Sequence, residues 1–151
     1  MFDIIKAFFT GDNSPDAPSV LDLTDVKLCS AALLVQVITA DGVQRPVEEA
    51  KLRQILTDDY GLSTAETEEL YMQARSATNS AVDLYGFTST LKRELDEAAR
   101  IELIRHLWDI VYSDGQLHEL EDNVVWRIAE LLGVSARDRM LAKQDAVRDA
   151  E

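Results

Sequence analysis

The chain has 151 residues, of which 46 % are hydrophobic, and this length is enough for one domain with a buried core. Its formal net charge of -13 at pH 7 argues against nucleic-acid binding, which needs a basic face, and disfavours anionic membrane surfaces. The single cysteine, Cys29, excludes an intrachain disulfide and a thiolate metal cluster. Its apolar neighbours predict a buried side chain rather than a reactive thiol.

Residues 1–21 are predicted to form a short amphipathic helix followed by a linker. Four large apolar side chains recur at helical spacing, and a turn-rich stretch follows over residues 11–19. The helix has three candidate docking sites: the domain itself, a partner, or a membrane surface. The segment lacks the cationic start of a signal peptide, and no apolar run of the chain is long enough to span a bilayer. These features predict a cytoplasmic protein, with peripheral attachment to the inner membrane as an option.

Residues 22–151 are predicted to form one helical domain. Hydrophobic periodicity and end signals place helices over residues 22–40, 46–58, 63–77, 82–93, 96–112, 119–132 and from 135 onward. The first of these is apolar on most sides, which is typical of a central, buried helix. No segment alternates with period two in the way of a strand. The sequence therefore predicts an all-α fold, a compact bundle of seven or eight helices.

Several side chains are assigned to the core from this periodicity. Val47 is expected to face inward together with Leu52, and Leu120 together with Ile128. The aromatic side chains are also interpreted as core rather than as a ligand cage; they are Tyr85, Phe87, Trp108 and Trp126.

One phrase, D-G-x5-E, occurs twice. It runs from Asp41 to Glu48 and again from Asp114 to Glu121, each time between an apolar stretch and an amphipathic one. A repeat of this kind predicts two pseudo-repeated helix-turn-helix halves. Each glycine fits the left-handed position after a helix, and Pro46 fits the first turn of the next helix.

Two interpretations of the phrase stay open. In the first, the glycines and glutamates only end and begin helices, and the aspartates form Asx-turns. In the second, Asp41, Glu48, Asp114 and Glu121 share a hard divalent cation across the two turns. An EF-hand loop is rejected, because its first ligand positions would fall on Val37 or Ile110, where the hydrophobic pattern requires helix.

The two histidines are not assigned to this site. His118 lies inside the second phrase, but it has no partner at ligand spacing and is interpreted as a surface or capping residue. His106 is interpreted as structural. Signatures of nucleophilic catalysis or of nucleotide binding are missing from the sequence, so an enzyme is not expected.

These residues resemble the TerB-like family of tellurite-resistance proteins, and in detail its uncharacterised proteobacterial branch. The resemblance covers about residues 22–147 and rests on 38–42 (ITADG), 82–88 (VDLYGFT), 112–115 (YSDG) and 131–135 (LLGVS) together with the paired phrases. It implies an all-helical fold with two related halves and an acidic cluster proposed to bind a metal. By position, that cluster corresponds to Asp41, Glu48, Asp114 and Glu121.

The resemblance also implies a non-enzymatic accessory protein linked to tellurite and stress resistance. Its partners would be other proteins of that response, including TerC-like membrane proteins and TerD-like proteins. Oxygen ligands suggest calcium, magnesium or manganese as the cation. The alternative is a metal-independent interaction module that uses its acidic surface or its N-terminal helix to hold a partner. Formation of a homo-oligomer is an option in either case.

Overall fold

A computed structural model describes residues 26–40, 42, 45–79, 84–116 and 118–150. Its seven helices are α1 (Val26–Ile38), α2 (Pro46–Gln54), α3 (Thr64–Asn79), α4 (Leu84–Glu94), α5 (Glu97–Val111), α6 (Glu119–Leu131) and α7 (Ala136–Ala150). A π-helical turn, Ile55–Asp59, continues α2. These residues contain no strand, so the all-α prediction is confirmed. The predicted N-terminal helix and linker, residues 1–21, and the first four residues of the helix predicted over 22–40 lie outside the described residues.

Helix α1 is the centre of the bundle. Ten of its thirteen residues are buried, including Cys29, and it packs against α2, α3, α4, α5 and α6. Helix α7 packs mainly against α5. A helix that is apolar on most sides can bury its apolar surface only when other helices surround it, which explains the central position of α1.

The helix ends follow the predicted signals. Ser63 and Glu66 form a reciprocal capping box at the start of α3, with N–H···O distances of 2.9 and 3.1 Å. Asp96 caps α5 by accepting a hydrogen bond from the backbone N–H of Ala99, and Ser135 does the same for α7. Pro46 occupies the first turn of α2, as predicted. In the described residues, no helix is both long and apolar enough to cross a membrane.

The aromatic assignments are correct with one exception. Phe87 and Trp108 are fully buried, and Trp126 packs against the core at its edge. The assignment of Tyr85 to the core is wrong, because its side chain is 63 % exposed. Phe87 and Leu91 form the inward side of α4, and Tyr85 lies on the opposite face of that helix.

Candidate metal centre

The repeated phrases form the turns of two equivalent helix-turn-helix pairs, α1–α2 and α5–α6. Gly42 and Gly115 adopt the left-handed conformation, with φ of 76° and 77°. Each donates its N–H to the carbonyl three residues earlier, which belongs to Thr39 in the first turn and Tyr112 in the second. Because L side chains disfavour this φ, glycine is the residue suited to both positions.

The inward stripe of each second helix begins with a glutamate. In α2 the buried residues are Glu48 and Leu52, and Ile55 continues the stripe into the π-helical turn. In α6 the corresponding residues are Glu121, Val125 and Ile128. A spacing of i, i+4, i+7 places each glutamate on the same helix face as core aliphatic side chains.

Because the glutamates face inward, two of the core predictions are wrong. Val47 is 48 % exposed and Leu120 is 57 % exposed, although both were expected to face inward. Each directly precedes a buried glutamate, and neighbouring positions of a helix point about 100° apart. The carboxyl groups therefore take the inward position that periodicity alone gives to the aliphatic side chains.

The two glutamates meet a histidine inside the bundle. Glu48 and Glu121 are both 0 % exposed. One ligand atom from each of Glu48, Glu121 and His118 lies within 4.8 Å of the other two. Two carboxylates and one imidazole at this separation form a set that one cation can contact together.

Asp114 holds the histidine rather than joining the carboxyl pair. One oxygen of Asp114 accepts the backbone N–H of Gln116 at 2.9 Å, and the other lies 2.8 Å from Nε2 of His118. Burial raises the pKa of Asp114, but the hydrogen bonds from His118 and Gln116 outweigh it and hold that pKa below its ordinary value. A carboxylate on one imidazole nitrogen leaves the other nitrogen, Nδ1, for a metal.

Arg45 brings a positive charge to the same place. Its Nη1 donates to Oε2 of Glu121 at 3.4 Å and lies 3.8 Å from Oε1 of Glu48. The side chain is 21 % exposed, so it enters the cluster from the surface.

The four carboxylates predicted from the sequence therefore have different places. Glu48 and Glu121 come together, and Asp114 is one residue removed, behind His118. Asp41 lies outside the described residues. His118 was interpreted as a surface or capping residue; it does occupy the position before α6, but its side chain makes no capping bond and faces the glutamates. A sequence signal for it exists: His118 lies three residues before Glu121, within one helical turn of it.

The carboxyl pair is electrostatically strained. Burial, followed by the contact with Glu48 and its negative charge, raises the pKa of Glu121 to about 9. No N–H or hydroxyl group of the described residues donates a hydrogen bond to Oε1 of Glu121. A hydrogen bond between two carboxyl groups requires a proton on one of them, and the raised pKa favours that proton at neutral pH.

The neighbouring acidic side chains do not take part in the cluster. Asp122 lies 3.1 Å from Nζ of Lys143 on α7, and Glu49 lies 3.9 Å from Arg53. Glu119 is exposed at the start of α6. The candidate site thus consists of few groups, each with a defined contact.

His106 belongs to a different part of the core, as its structural interpretation implies. Its Nδ1 is hydrogen-bonded to the hydroxyl of Tyr60 at 2.8 Å, and its ring is fully buried. Burial, with the nearby charges of Arg105 and Lys51, lowers the pKa of His106 to about 3. This histidine is therefore neutral over the physiological range.

The fold and the cluster together define a class: an all-helical protein of two pseudo-repeated helix-turn-helix halves, in which one buried glutamate from each half joins a common cluster. The chain belongs to the TerB family, since the model of the family described as tellurite resistance protein TerB matches residues 27–144. This confirms the family resemblance over most of the chain. No individual curated protein and no solved structure gave a significant match.

Proposed function

We propose that this TerB-family protein is a non-catalytic protein that binds a divalent cation between its two halves. One observation carries the proposal: two completely buried glutamates, one from each half, share a small space with a histidine oriented by an aspartate. Burying two carboxyl groups side by side is costly. A cation that replaces their shared proton would remove that cost.

The histidine changes the expected choice of ion. Calcium and magnesium prefer oxygen ligands alone, whereas imidazole nitrogen suits transition metals. Two carboxylates with one imidazole favour manganese or zinc over the calcium or magnesium that an all-oxygen set would take. Asp41 is an additional candidate ligand because of its place in the first phrase. The variant Asp41→Asn tests whether it contributes to ion binding.

Thermal unfolding of chelator-treated protein with manganese, zinc, calcium and magnesium tests the proposal. An ion at 100 times its Kd stabilises the folded state by about 2.7 kcal/mol, or roughly 5–10 °C in Tm for a chain of this size. The titration is made at about 0.3 M NaCl, so that attraction to the acidic surface is screened and binding in the buried site remains.

Matched variants locate the ion. Glu121→Gln should weaken binding by more than about 100-fold, since it removes a ligand rather than a supporting group. Glu119→Gln makes the same charge change in the same helical turn, but at an exposed position, and should bind as the wild type does. Equal weakening in both variants would point to a diffuse surface effect, and no saturable shift with any ion would refute the proposal.

Family membership also supports a role beside other tellurite and stress-resistance proteins, among them TerC-like and TerD-like proteins. The metal-independent interaction module stays the second candidate. The exposed Val47 and Leu120 favour it, because each is an exposed apolar side chain directly before a glutamate of the site. Binding of purified TerC- or TerD-like partners to the full chain and to a chain lacking residues 1–19, with and without the ion, distinguishes the two functions.

A further inference from the structure

Arg45 and His118 occupy equivalent positions in the two halves. Each lies three residues before its buried glutamate and directly precedes the second helix of its pair. Their backbones are superimposable in torsion angles, with φ and ψ of -115° and 118° for Arg45 and -114° and 111° for His118. Neither side chain caps the helix that follows. The same backbone position thus carries a candidate metal ligand, His118, in the second half and a positively charged guanidinium, that of Arg45, in the first.

The guanidinium of Arg45 contacts both halves of the site. It donates to Glu121 of the second half at 3.4 Å and lies 3.8 Å from Glu48 of its own half. A guanidinium has no lone pair to give a metal, so Arg45 cannot serve as a ligand. It can only neutralise the carboxyl groups that a metal would use.

A divalent metal bound to these carboxylates would be repelled by this guanidinium. Carboxylate oxygens bind zinc at about 2.0–2.2 Å, which would place a double positive charge within a few ångströms of the guanidinium. Two cations at that separation in a buried site repel strongly. Because Arg45 is partly exposed, its side chain has a route out to the solvent.

We infer that Arg45 is a built-in competitor for the cation site, and that its guanidinium must leave Glu48 and Glu121 before a divalent ion binds. This inference rests on the proposed function and adds its regulation. The Arg45 guanidinium stabilises the two carboxyl groups when no metal ion is present, and it lowers the affinity of the site for a metal ion when one is added. The site therefore binds only an ion that outcompetes the arginine.

The test compares the affinity of three proteins for zinc and for manganese by competition with a chromophoric chelator. Arg45→Gln keeps a polar side chain but removes the charge, and we expect it to bind at least about tenfold more tightly than the wild type. Arg53→Gln is the control: it removes one positive charge from α2, the helix that Arg45 directly precedes, at a residue paired with Glu49 and Glu68 outside the cluster. An affinity of Arg45→Gln no higher than that of Arg53→Gln would overturn the inference.

The outcomes separate this inference from the proposed function. If the wild type binds an ion and Arg45→Gln binds no more tightly, only the competition fails. If the wild type does not bind but Arg45→Gln does, the competition is supported and is strong enough to close the site. If neither protein binds an ion, both proposals fail.

A measurement on the wild-type protein guards against a variant that folds poorly. Restricted rotation of the Arg45 guanidinium, observed by its side-chain ¹⁵N–¹H signals, should be present without metal and lost when diamagnetic zinc is added. A guanidinium that stays restricted with the ion bound would overturn the inference. The same signals should lose their restriction in Glu121→Gln without any metal.

Discussion

At the scale of single residues, the glutamates occupy core positions at a cost in stability. The pKa of Glu121 is raised from its ordinary value of 4.5, which applies to the unfolded chain, to about 9 in the folded chain. Between these two pH values the folded state binds more protons than the unfolded state. The contribution of Glu121 to the free energy of unfolding is therefore most favourable below pH 4.5 and falls as the pH rises toward 9.

The fall in the free energy of unfolding with rising pH should be visible in the metal-free protein. Glutamine is neutral in both states, so Glu121→Gln should be more stable than the wild type at pH 7–8, by on the order of 1–3 kcal/mol. The difference should disappear toward pH 4. Urea unfolding in the presence of a chelator, at several pH values, measures it. A variant less stable than the wild type at pH 8 would show that Glu121 is a stabilising, ionised partner of Arg45.

Asp114 makes a second prediction at this scale. Asp114→Asn keeps the size of the side chain but weakens its hold on His118, so ion affinity should fall by about 10–100-fold. The effect should be larger for zinc than for calcium, because only the nitrogen ligand is disturbed. Asp41→Asn provides the comparison from the first half. Equal losses for both ions in Asp114→Asn would indicate that Asp114 is itself a ligand.

The same residues show where sequence patterns succeed and where they stop. The D-G-x5-E repeat identified both glutamates as candidates, because glycine and glutamate carry local signals for a turn and a helix start, but it did not predict that they are buried. Periodicity put Val47 and Leu120 inward because it counts apolar side chains and treats a glutamate as polar. The spacing of His118 and Glu121 is a local signal, but the approach of Glu48 to both depends on the packing of the two halves, which no local pattern contains.

At the scale of the elements, the second turn depends on the left-handed glycine. A Cβ added to Gly115 would meet no atom within 4 Å, so substitution costs only the backbone strain at φ 77°. We expect Gly115→Ala to lower the free energy of unfolding by about 1–2 kcal/mol. It should also weaken ion binding, because the turn sets the positions of Asp114 and His118.

Gly86 offers the matched control for this substitution. It lies inside α4, and a Cβ there would also meet no atom within 4 Å. Gly86→Ala should therefore stabilise the fold by roughly 0.5–1 kcal/mol without affecting ion binding. Denaturant unfolding of both variants checks the signs. Destabilisation of similar size in both would mean that chain packing, rather than the turn conformation, is responsible.

The helices themselves were largely predictable for a physical reason. Their ends carry short-range signals, such as the capping box at Ser63 and Glu66 and the cap at Asp96, which act within four residues. The π-helical turn at Ile55–Asp59 was not predicted, since one residue inserted into a helix leaves almost the same apolar pattern.

At the scale of the whole molecule, the site joins two halves of the chain that are far apart in sequence. Glu48 comes from the α1–α2 pair, whereas Glu121 and His118 come from the α5–α6 pair. A bound ion would link the first turns of α2 and α6, which otherwise meet through the Glu48–Glu121 carboxyl pair and the Arg45 guanidinium that contacts both groups. Binding of the ion should therefore stabilise α2 and α6 together.

Hydrogen exchange tests this coupling. Addition of manganese or zinc should slow amide exchange in the first turns of both α2 and α6, and Glu48→Gln should remove the protection from both helices although only α2 is changed. The exposed control Glu119→Gln should keep the protection in both. Protection confined to α6 would mean that the ion is held by the second half alone. In that case the buried Glu48 would act only as the neighbour that raises the pKa of Glu121.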